Sequence, residues 1–190
     1  MTRAWAMVVV LLLASTAQAE QYQSKKDHER AAKTTSSGKL PMVGTKPAKL
    51  TNLYNQWTNE WLAVAPGESI PPEITNRFLR DHYTNSSTTM EPKLLPTVLA
   101  AAAHFHSETA FIVSGFRHPK FNLILRKKGH QVARDSQHTH GNAVDFRIPR
   151  VTTQALHKWA KDQHMGGVGL YLDSGFVHMD TGPVRYWNGE

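Results

Sequence analysis

Along residues 50–181, some segments place apolar residues at every second position and others at every third or fourth position. This pattern predicts a mixture of strands and helices. Strand-forming residues at 50–54 and 60–64, separated by a polar turn, predict a β-hairpin. Proline suits the first turn of a helix, so a Pro-Pro pair predicts a helix over 71–80. A Glu-Pro pair opens a second helix over 91–105, in which apolar residues recur at helical spacing.

The second half of this region predicts shorter elements. They are strands over 110–114 and 142–148 and helices over 119–128 and 152–163. A closing hairpin follows, in which 168–172 pairs with 176–181. Gly129 closes the first of these helices and Thr152 caps the second. The strand at 142–148 alternates between two faces, with Val144, Phe146 and Ile148 on one side and Ala143, Asp145 and Arg147 on the other.

The N-terminus has the three parts of a secretory signal peptide, which we predict over residues 1–19. Arg3 supplies a positive charge, residues 5–14 form an apolar run, and the Ala-Gln-Ala at 17–19 offers small residues for cleavage. A bilayer-spanning helix needs about 20 apolar residues, so this run predicts no stable membrane span after cleavage. We therefore expect an exported protein of the periplasm, with an uncleaved anchor as the alternative.

A change of composition separates this N-terminal segment from the folded part. Residues 20–48 are polar, rich in Lys, Ser, Thr and Gln, and lack a sustained apolar period. They predict a flexible polar linker, with a weak helical tendency only at 27–33. The folded domain is then expected over 49–190, which contains all the strongly predicted strands and helices.

Composition and charge narrow the class of protein. Of 190 residues, 40% are hydrophobic and 19% are charged, which allows one packed domain. The formal charge of +7 suits an acidic polymer as partner. Apart from one group at 126–128, Lys and Arg are spread along the chain, which argues against nucleic acid as a partner. Because the chain has no Cys, it has neither disulfides nor thiolate metal ligands.

Two segments contain residue types that bind zinc in enzymes. His138 and Asp145 lie in the first, and His178 and Asp180 lie in the second. Two imidazoles and a carboxylate leave the fourth zinc position open, as in catalytic sites, whereas structural sites take four protein ligands. If His138, Asp145 and His178 converge, we expect a hydrolase. Eight further histidines have no partner at a useful spacing and are expected to be ordinary: His28, His82, His104, His106, His118, His130, His157 and His164.

The spacing of these residues sets a condition on the fold. Along an extended strand, His138 and Asp145 would be about 23 Å apart. They can share a metal only if His138 lies on a loop that folds back, and Gly141 gives that loop the conformational freedom. The period of a strand also predicts a functional face and a buried face for 176–180, formed by His178 and Asp180 and by Val177 and Met179.

These motifs resemble a family of zinc peptidases. Ser-x-His-x-x-Gly-x-Ala-x-Asp followed by Phe-Val-His-x-Asp is similar to the lysostaphin, D-Ala-D-Ala metallopeptidase and hedgehog group, and most similar to the branch typified by murein endopeptidase K. The resemblance extends from about Leu50 to Trp187. It includes the Ser-Gly-Phe-Arg at 114–117, Asn122, the glycine-rich segment 166–171, residues 176–182, Arg185 and Trp187.

The resemblance implies a fold, a cofactor and an activity. The fold would be α+β, with a small central antiparallel sheet flanked by helices. Zn2+ would be held by His138, Asp145 and His178, and the reaction would be cleavage of the peptide cross-links of peptidoglycan, whose peptide stems would be the partner. The family also suggests that Arg117 binds a substrate carboxylate, which suits its planar guanidinium, and that Asn122 binds substrate or braces a loop.

The residue that transfers protons does not follow from the resemblance. Many relatives have Glu three residues before the last His, where this chain has Gly175, and others have His-x-His, where this chain has Phe176. Asp180 is the first candidate for the catalytic base and His140 is the second. Asp180 could equally orient a ligand imidazole from behind the metal site.

Two other functions compete with hydrolysis. The first is a non-catalytic, zinc-containing peptidoglycan-binding module, which the Gly at position 175 favours. The second is a periplasmic metal-buffering protein, suggested by the 11 histidines but opposed by their dispersal along the chain. The cross-link that is cut and the oligomeric state are left open.

Overall fold

The described strands form one mixed sheet of seven strands. The structure is a computed structural model that describes residues 49–128 and 132–189. Across the sheet the strands lie in the order β2-β1-β3-β4-β6-β5-β7, so β4 and β6 are neighbours. In chain order they are β1 (Thr51–Asn55), β2 (Glu60–Val64), β3 (Thr109–Ser114), β4 (Ala143–Arg147), β5 (Gly167–Tyr171), β6 (Phe176–Asp180) and β7 (Arg185–Gly189).

The described helices confirm those predicted within the domain. They are α1 (Pro72–Phe78), α2 (Leu94–His104), α3 (Pro119–Lys127) and α4 (Thr153–Asp162). Proline occupies the first turn of α1 and of α3, and the Thr152 hydroxyl accepts a hydrogen bond from the Ala155 N–H at 3.2 Å to cap α4. Each helix ends one or two residues before its predicted end, because the last turn unwinds.

The sheet itself corrects the expectation of a small antiparallel sheet. β1 pairs in parallel with β3, and β5 pairs in parallel with β7. The first parallel pair arises because α1 and α2 form a long crossover between β2 and β3. The second arises from β7, which was not predicted because it lies at a sheet edge where none of its side chains is fully buried, and its sequence shows no alternation of apolar and polar residues.

The two faces of the central strands have opposite characters, as predicted. Val144 and Phe146 of β4 and Val177 and Met179 of β6 are buried in the core. The helices α2 and α4 pack against this side of the sheet, with α2 over β3 and β4 and α4 over β5 and β6. The opposite side of the same strands is therefore left to form a functional surface.

Some predictions concern parts of the chain outside the described residues. These are the signal peptide at 1–19, the linker at 20–48, the short helix at 27–33 and the closing Gly129. Of the helices that the structure describes, none is long and apolar enough to cross a membrane.

Gly141 is predicted to be required for stability, because it has a φ of 75° and a Cβ at this position would collide with the Thr89 carbonyl. The left-handed conformation costs an alanine roughly 1–2 kcal/mol, and overpacking adds about 1–3 kcal/mol. We expect Gly141→Ala to lower the free energy of unfolding by about 2–5 kcal/mol, measured by urea denaturation.

Gly175→Ala is the matched control. Its φ is 70°, but nothing lies within 4 Å of an added Cβ, so only the conformational cost of about 1–2 kcal/mol applies. Equal losses in the two variants would show that the contact with Thr89 has no energetic weight.

Candidate metal centre

One row of residues crosses five strands on the face of the sheet opposite the core. Backbone pairing places Ser114 beside Asp145, Asp145 beside His178, His178 beside Gly169, and Gly169 beside Trp187. Paired residues on neighbouring strands lie on the same face of the sheet, so the register alone brings Asp145 and His178 together. Except for Gly169, the residues of this row line a cleft with a volume of about 570 Å³.

The segment before β4 brings His138 to the same place. Residues Gln137–His140 form a 3₁₀ turn, and Gly141 ends this turn in the left-handed conformation. The Arg117 N–H donates a hydrogen bond to the His138 carbonyl at 3.1 Å, and the imidazole Nδ1 lies 2.7 Å from the Gly115 carbonyl oxygen. The prediction that His138 lies on a loop folded back at Gly141 is confirmed.

Three atoms that could act as metal ligands converge in the cleft. His138 Nε2 lies 3.2 Å from Asp145 Oδ1 and 3.1 Å from His178 Nδ1, and His178 Nδ1 lies 2.8 Å from Asp145 Oδ1. All three residues are buried, with exposed fractions of 3%, 4% and 6% for His138, Asp145 and His178. Together they form a group able to hold a metal ion.

The outer hydrogen bonds determine which ring nitrogens face inward. A carbonyl oxygen only accepts, so His138 Nδ1–H donates to Gly115 and Nε2 presents a lone pair. His178 Nε2 lies 2.9 Å from Asp180 Oδ2, which leaves Nδ1 to present its lone pair in the neutral ring. In the neutral ring, two nitrogen lone pairs and a carboxylate oxygen thus face one point, an arrangement that a cation between them would stabilise. Burial alone would lower the pKa of His178, but its hydrogen bonds to Asp145 and Asp180 raise it, so a proton on His178 also satisfies the contact.

A divalent metal fits this arrangement in chemistry and in size. Zinc bonds of about 2.0–2.1 Å place the ligand atoms of a tetrahedral site about 3.3 Å apart, close to the distances between these three atoms. Burial by itself would raise the pKa of Asp145, but the imidazoles of His138 and His178 lower it well below its ordinary range. The carboxylate is therefore ionised and able to act as a ligand at neutral pH.

Asp180 is held behind His178 and away from the cleft. Its exposed fraction is 0%, and Oδ2 accepts from His178 Nε2 and, at 2.7 Å, from Arg185 Nη2. Oδ1 accepts from the N–H groups of Gly167 and Gly182 at 3.0 and 2.8 Å. Burial opposes ionisation, but these hydrogen bonds lower the pKa of Asp180 well below its ordinary range. Fully bonded and inaccessible, this carboxylate is suited to orienting His178.

Arg117 lies in the cleft beside the candidate metal ligands. Its Nη2 is 3.8 Å from Asp145 Oδ2, and its side chain is mostly buried. Among the described residues its Nε–H has no hydrogen-bond partner. A guanidinium with a free donor in a partly buried cleft is suited to binding a carboxylate, because charge-assisted hydrogen bonds are strong where water is scarce.

The two other predicted residues lie outside the cleft walls. Asn122 is buried on α3, and its Nδ2 donates to the Ala133 carbonyl at 3.0 Å, so it braces the segment that leads to the 3₁₀ turn. His140 is about half exposed, and its Nε2 lies 2.6 Å from Oδ1 of Asp135, which lines the cleft. The catalytic role of His140 and the substrate-binding role of Asn122 stay predictions.

The resemblance included Tyr171, Phe176 and Trp187, but sequence reasoning did not predict that they form an aromatic wall over His178. The Trp187 ring lies 5.1 Å from the His178 ring, and its Nε1–H donates to the Tyr171 hydroxyl at 3.2 Å. The Tyr171 ring stacks on Phe176 at 4.5 Å. A Cβ at Gly169 would collide with the Trp187 ring, which explains why the glycine-rich segment has Gly on this face. The glycine-rich segment 166–171 is therefore the sequence feature that could have indicated the aromatic wall.

Burial keeps Tyr171 protonated in this wall. Burial is the main cause that raises the pKa of its phenol above the ordinary value. The hydroxyl accepts its hydrogen bond from Trp187, so its own proton is free to donate into the cleft.

Comparisons with known proteins agree with this geometry. A family model, Peptidase_M15_2, described as peptidoglycan L,D-endopeptidase MepK, matches residues 49–187. The probable peptidoglycan L,D-endopeptidase MepK of Haemophilus influenzae is 32% identical over 157 residues, which are 79% of this chain and 84% of that protein. The peptidoglycan L,D-endopeptidase MepK of Escherichia coli K12 is 35% identical over 113 residues, 59% of this chain and 62% of that protein. No solved structure matches the chain.

Asp180→Asn is predicted to weaken metal binding, because the amide loses the charge that fixes the tautomer of His178 and accepts from its Nε2–H. Loss of such a supporting carboxylate typically costs 10–100-fold in metal affinity. We expect a loss of about that size, measured by competition with a chromogenic zinc chelator.

Asp162→Asn is the control, because its carboxylate is exposed and, among the described residues, pairs with Lys158 on α4 alone. Unchanged metal affinity in Asp180→Asn would contradict the orienting role. Asp180 would then again be the first candidate for the catalytic base.

Proposed function

Because the chain belongs to the Peptidase_M15_2 family of peptidoglycan L,D-endopeptidases, we propose that it is a zinc-dependent endopeptidase that hydrolyses peptide cross-links of peptidoglycan. The observation that carries the proposal is the convergence of His138, Asp145 and His178 in an open cleft. The names of the relatives further favour a peptide bond between an L and a D centre.

The ligand set suits zinc in particular. The donors are two nitrogens and one oxygen, and three protein ligands leave one position for water or substrate. When bound there, zinc lowers the pKa of a water molecule to about 7 and polarises a carbonyl. The protein contributes the fixed orientation of both imidazoles, through Gly115 and Asp180, and a cleft that positions the peptide.

Arg117 positions the substrate in this proposal. Its side chain lies beside Asp145 on the wall of the cleft, so a carboxylate bound there would hold the neighbouring peptide bond over the metal centre. Such positioning makes the attack effectively unimolecular, which is a large part of many enzymatic rate enhancements.

For proton transfer to the leaving amine we propose His140 acting through Asp135, because His140 itself lies outside the cleft lining. Asp180 is less suited, since both of its oxygens are bonded and none of its surface is exposed. His140 is accessible to solvent and bonded to Asp135 of the cleft.

A His140→Gln variant tests this role. We expect kcat to fall at least about tenfold with zinc content unchanged, and an unchanged kcat would remove His140 from the mechanism.

The compartment follows from the same proposal. Peptidoglycan lies outside the inner membrane, so residues 1–19 would act as an export signal that is removed, and residues 20–48 as a linker ahead of the domain at 49–190. The formal charge of +7 suits a polymer whose peptide stems carry free carboxylates. We propose the periplasm as the location.

His138→Ala is predicted to abolish hydrolysis, because only two of the three metal ligands would remain. Purified cross-linked muropeptides are digested with added zinc or with chelator, and products are identified by mass spectrometry. We expect zinc-dependent conversion of dimers to monomers by the wild type and by His104→Ala, an exposed histidine on α2, and none by His138→Ala.

Two outcomes of this digestion would contradict the proposal. Activity retained in His138→Ala would remove the metal from the mechanism. Intact dimers with one zinc bound per wild-type chain would assign the site to a non-catalytic binding module, the function that Gly175 favours.

Arg117→Lys is predicted to impair substrate binding, because lysine keeps the charge but loses the planar, bidentate fork. We expect kcat/KM to fall about tenfold on stems with free carboxylates, and the loss to be much smaller on stems whose carboxylates are amidated. Equal losses on both substrates, with zinc content unchanged, would exclude carboxylate binding by Arg117.

A further inference from the structure

Four aromatic rings form a continuous surface at one rim of the cleft, here named the aromatic rim: Trp57, His82, Phe121 and Tyr83. Trp57 stacks on His82 with ring centroids 4.3 Å apart and planes 10° apart. His82 meets Phe121 edge-on at 4.8 Å, and Phe121 stacks on Tyr83 at 5.3 Å. The rim therefore joins three separate segments of the chain into one surface.

Trp57 presents a flat and accessible indole. One face of its ring is covered by His82, yet 56% of the residue is exposed, so the opposite face is open to solvent. Trp57, His82 and Phe121 also line the cleft that contains Arg117 and the metal ligands. The open face is thus continuous with the surface that binds the peptide.

The turn that carries Trp57 is held in one conformation. Asn55 is buried, and its Oδ1 accepts from the N–H groups of Trp57 and Thr58 at 3.0 and 3.2 Å. Its Nδ2 donates to the Phe78 carbonyl at 2.7 Å, which ties the turn to the end of α1. An exposed Trp on a rigid turn is preorganised to bind a partner, because little entropy is lost on binding.

The aromatic rim favours an uncharged partner. Burial, together with the nearby Arg117, lowers the pKa of His82 below its ordinary value, so this ring is neutral at neutral pH. The other three rings carry no charge. The π face of an aromatic ring is electronegative and attracts C–H groups.

Among the parts of peptidoglycan, the sugars match this chemistry. Peptide stems are short, carry charged groups and have small or polar side chains, so they offer little to cover an indole face. A pyranose ring presents a flat set of C–H groups about as wide as an indole. The sugars are also covalently attached to the stems, so a stem in the cleft brings them near its rim.

We propose that the aromatic rim is a second binding subsite, which takes the N-acetylated sugar rings of the glycan strand with a pyranose stacked on the open face of Trp57. This proposal rests on the proposed function, because peptidoglycan must be the substrate for the sugar to reach the rim. It makes the enzyme prefer cross-links that are still attached to glycan over free cross-linked peptides.

The first test compares two forms of one cross-linked substrate, with and without the disaccharide. The ratio of their kcat/KM values measures the preference for sugar. Trp57→Ala should lower this ratio about five- to tenfold through a higher KM on the sugar-bearing form, as loss of one stacking contact predicts, and Trp57→Phe should keep part of it.

Trp61→Ala is the matched control. Trp61 is 61% exposed and packs on Tyr54 at 4.5 Å, but it lies outside the cleft lining. The ratio should be unchanged in this variant. An unchanged ratio in Trp57→Ala, or an equal fall in Trp61→Ala, would overturn the proposal while hydrolysis by the wild type stands.

A binding measurement decides the proposal independently of activity. The probe is a β-1,4-linked tetramer of N-acetylglucosamine, titrated calorimetrically into the wild type, Trp57→Ala and Trp61→Ala. Binding by the wild type and Trp61→Ala but not by Trp57→Ala would support the subsite even if no substrate were cleaved. No binding by the wild type would overturn it.

Discussion

The pairing of β4 with β6 is the constraint on which the site depends. Its register places Asp145 directly beside His178 on one face and Val144 and Phe146 beside Met179 and Val177 on the other. A slip of one residue would put Asp145 and His178 on opposite faces of the sheet and expose the apolar side chains of the strand that slipped. Burial of the core thus selects the register, and the register sets the distance between the two ligands.

The other parts of the site are built around this pair. Gly141 reverses the chain so that His138 completes the group of ligands, and Asp180 holds His178 from behind. The absence of side chains at Gly167 and Gly169 leaves room for β7, whose Arg185 reaches Asp180 and whose Trp187 covers His178. The cleft is open above the three ligands, where a peptide can enter.

Much of this was predictable because it depends on local periodicity. Alternation along 142–148 and 176–180 identified the functional face, and the distance between His138 and Asp145 required a loop between them. The parallel pairs and β7 were not predictable, since pairing between distant strands leaves no local pattern. The aromatic rim was missed for the same reason: Trp57, His82 and Phe121 meet only in three dimensions.

We propose that two imidazoles and one carboxylate bind a single zinc through His138 Nε2, His178 Nδ1 and Asp145. X-ray absorption at the zinc K-edge of the zinc-loaded protein tests it most directly. We expect two imidazole ligands and zinc–nitrogen and zinc–oxygen distances of about 2.0–2.2 Å, with one imidazole lost in His138→Ala. Fewer than two imidazole ligands in the wild-type spectrum would rule out this ligand set. So would a His138→Ala spectrum identical to that of the wild type.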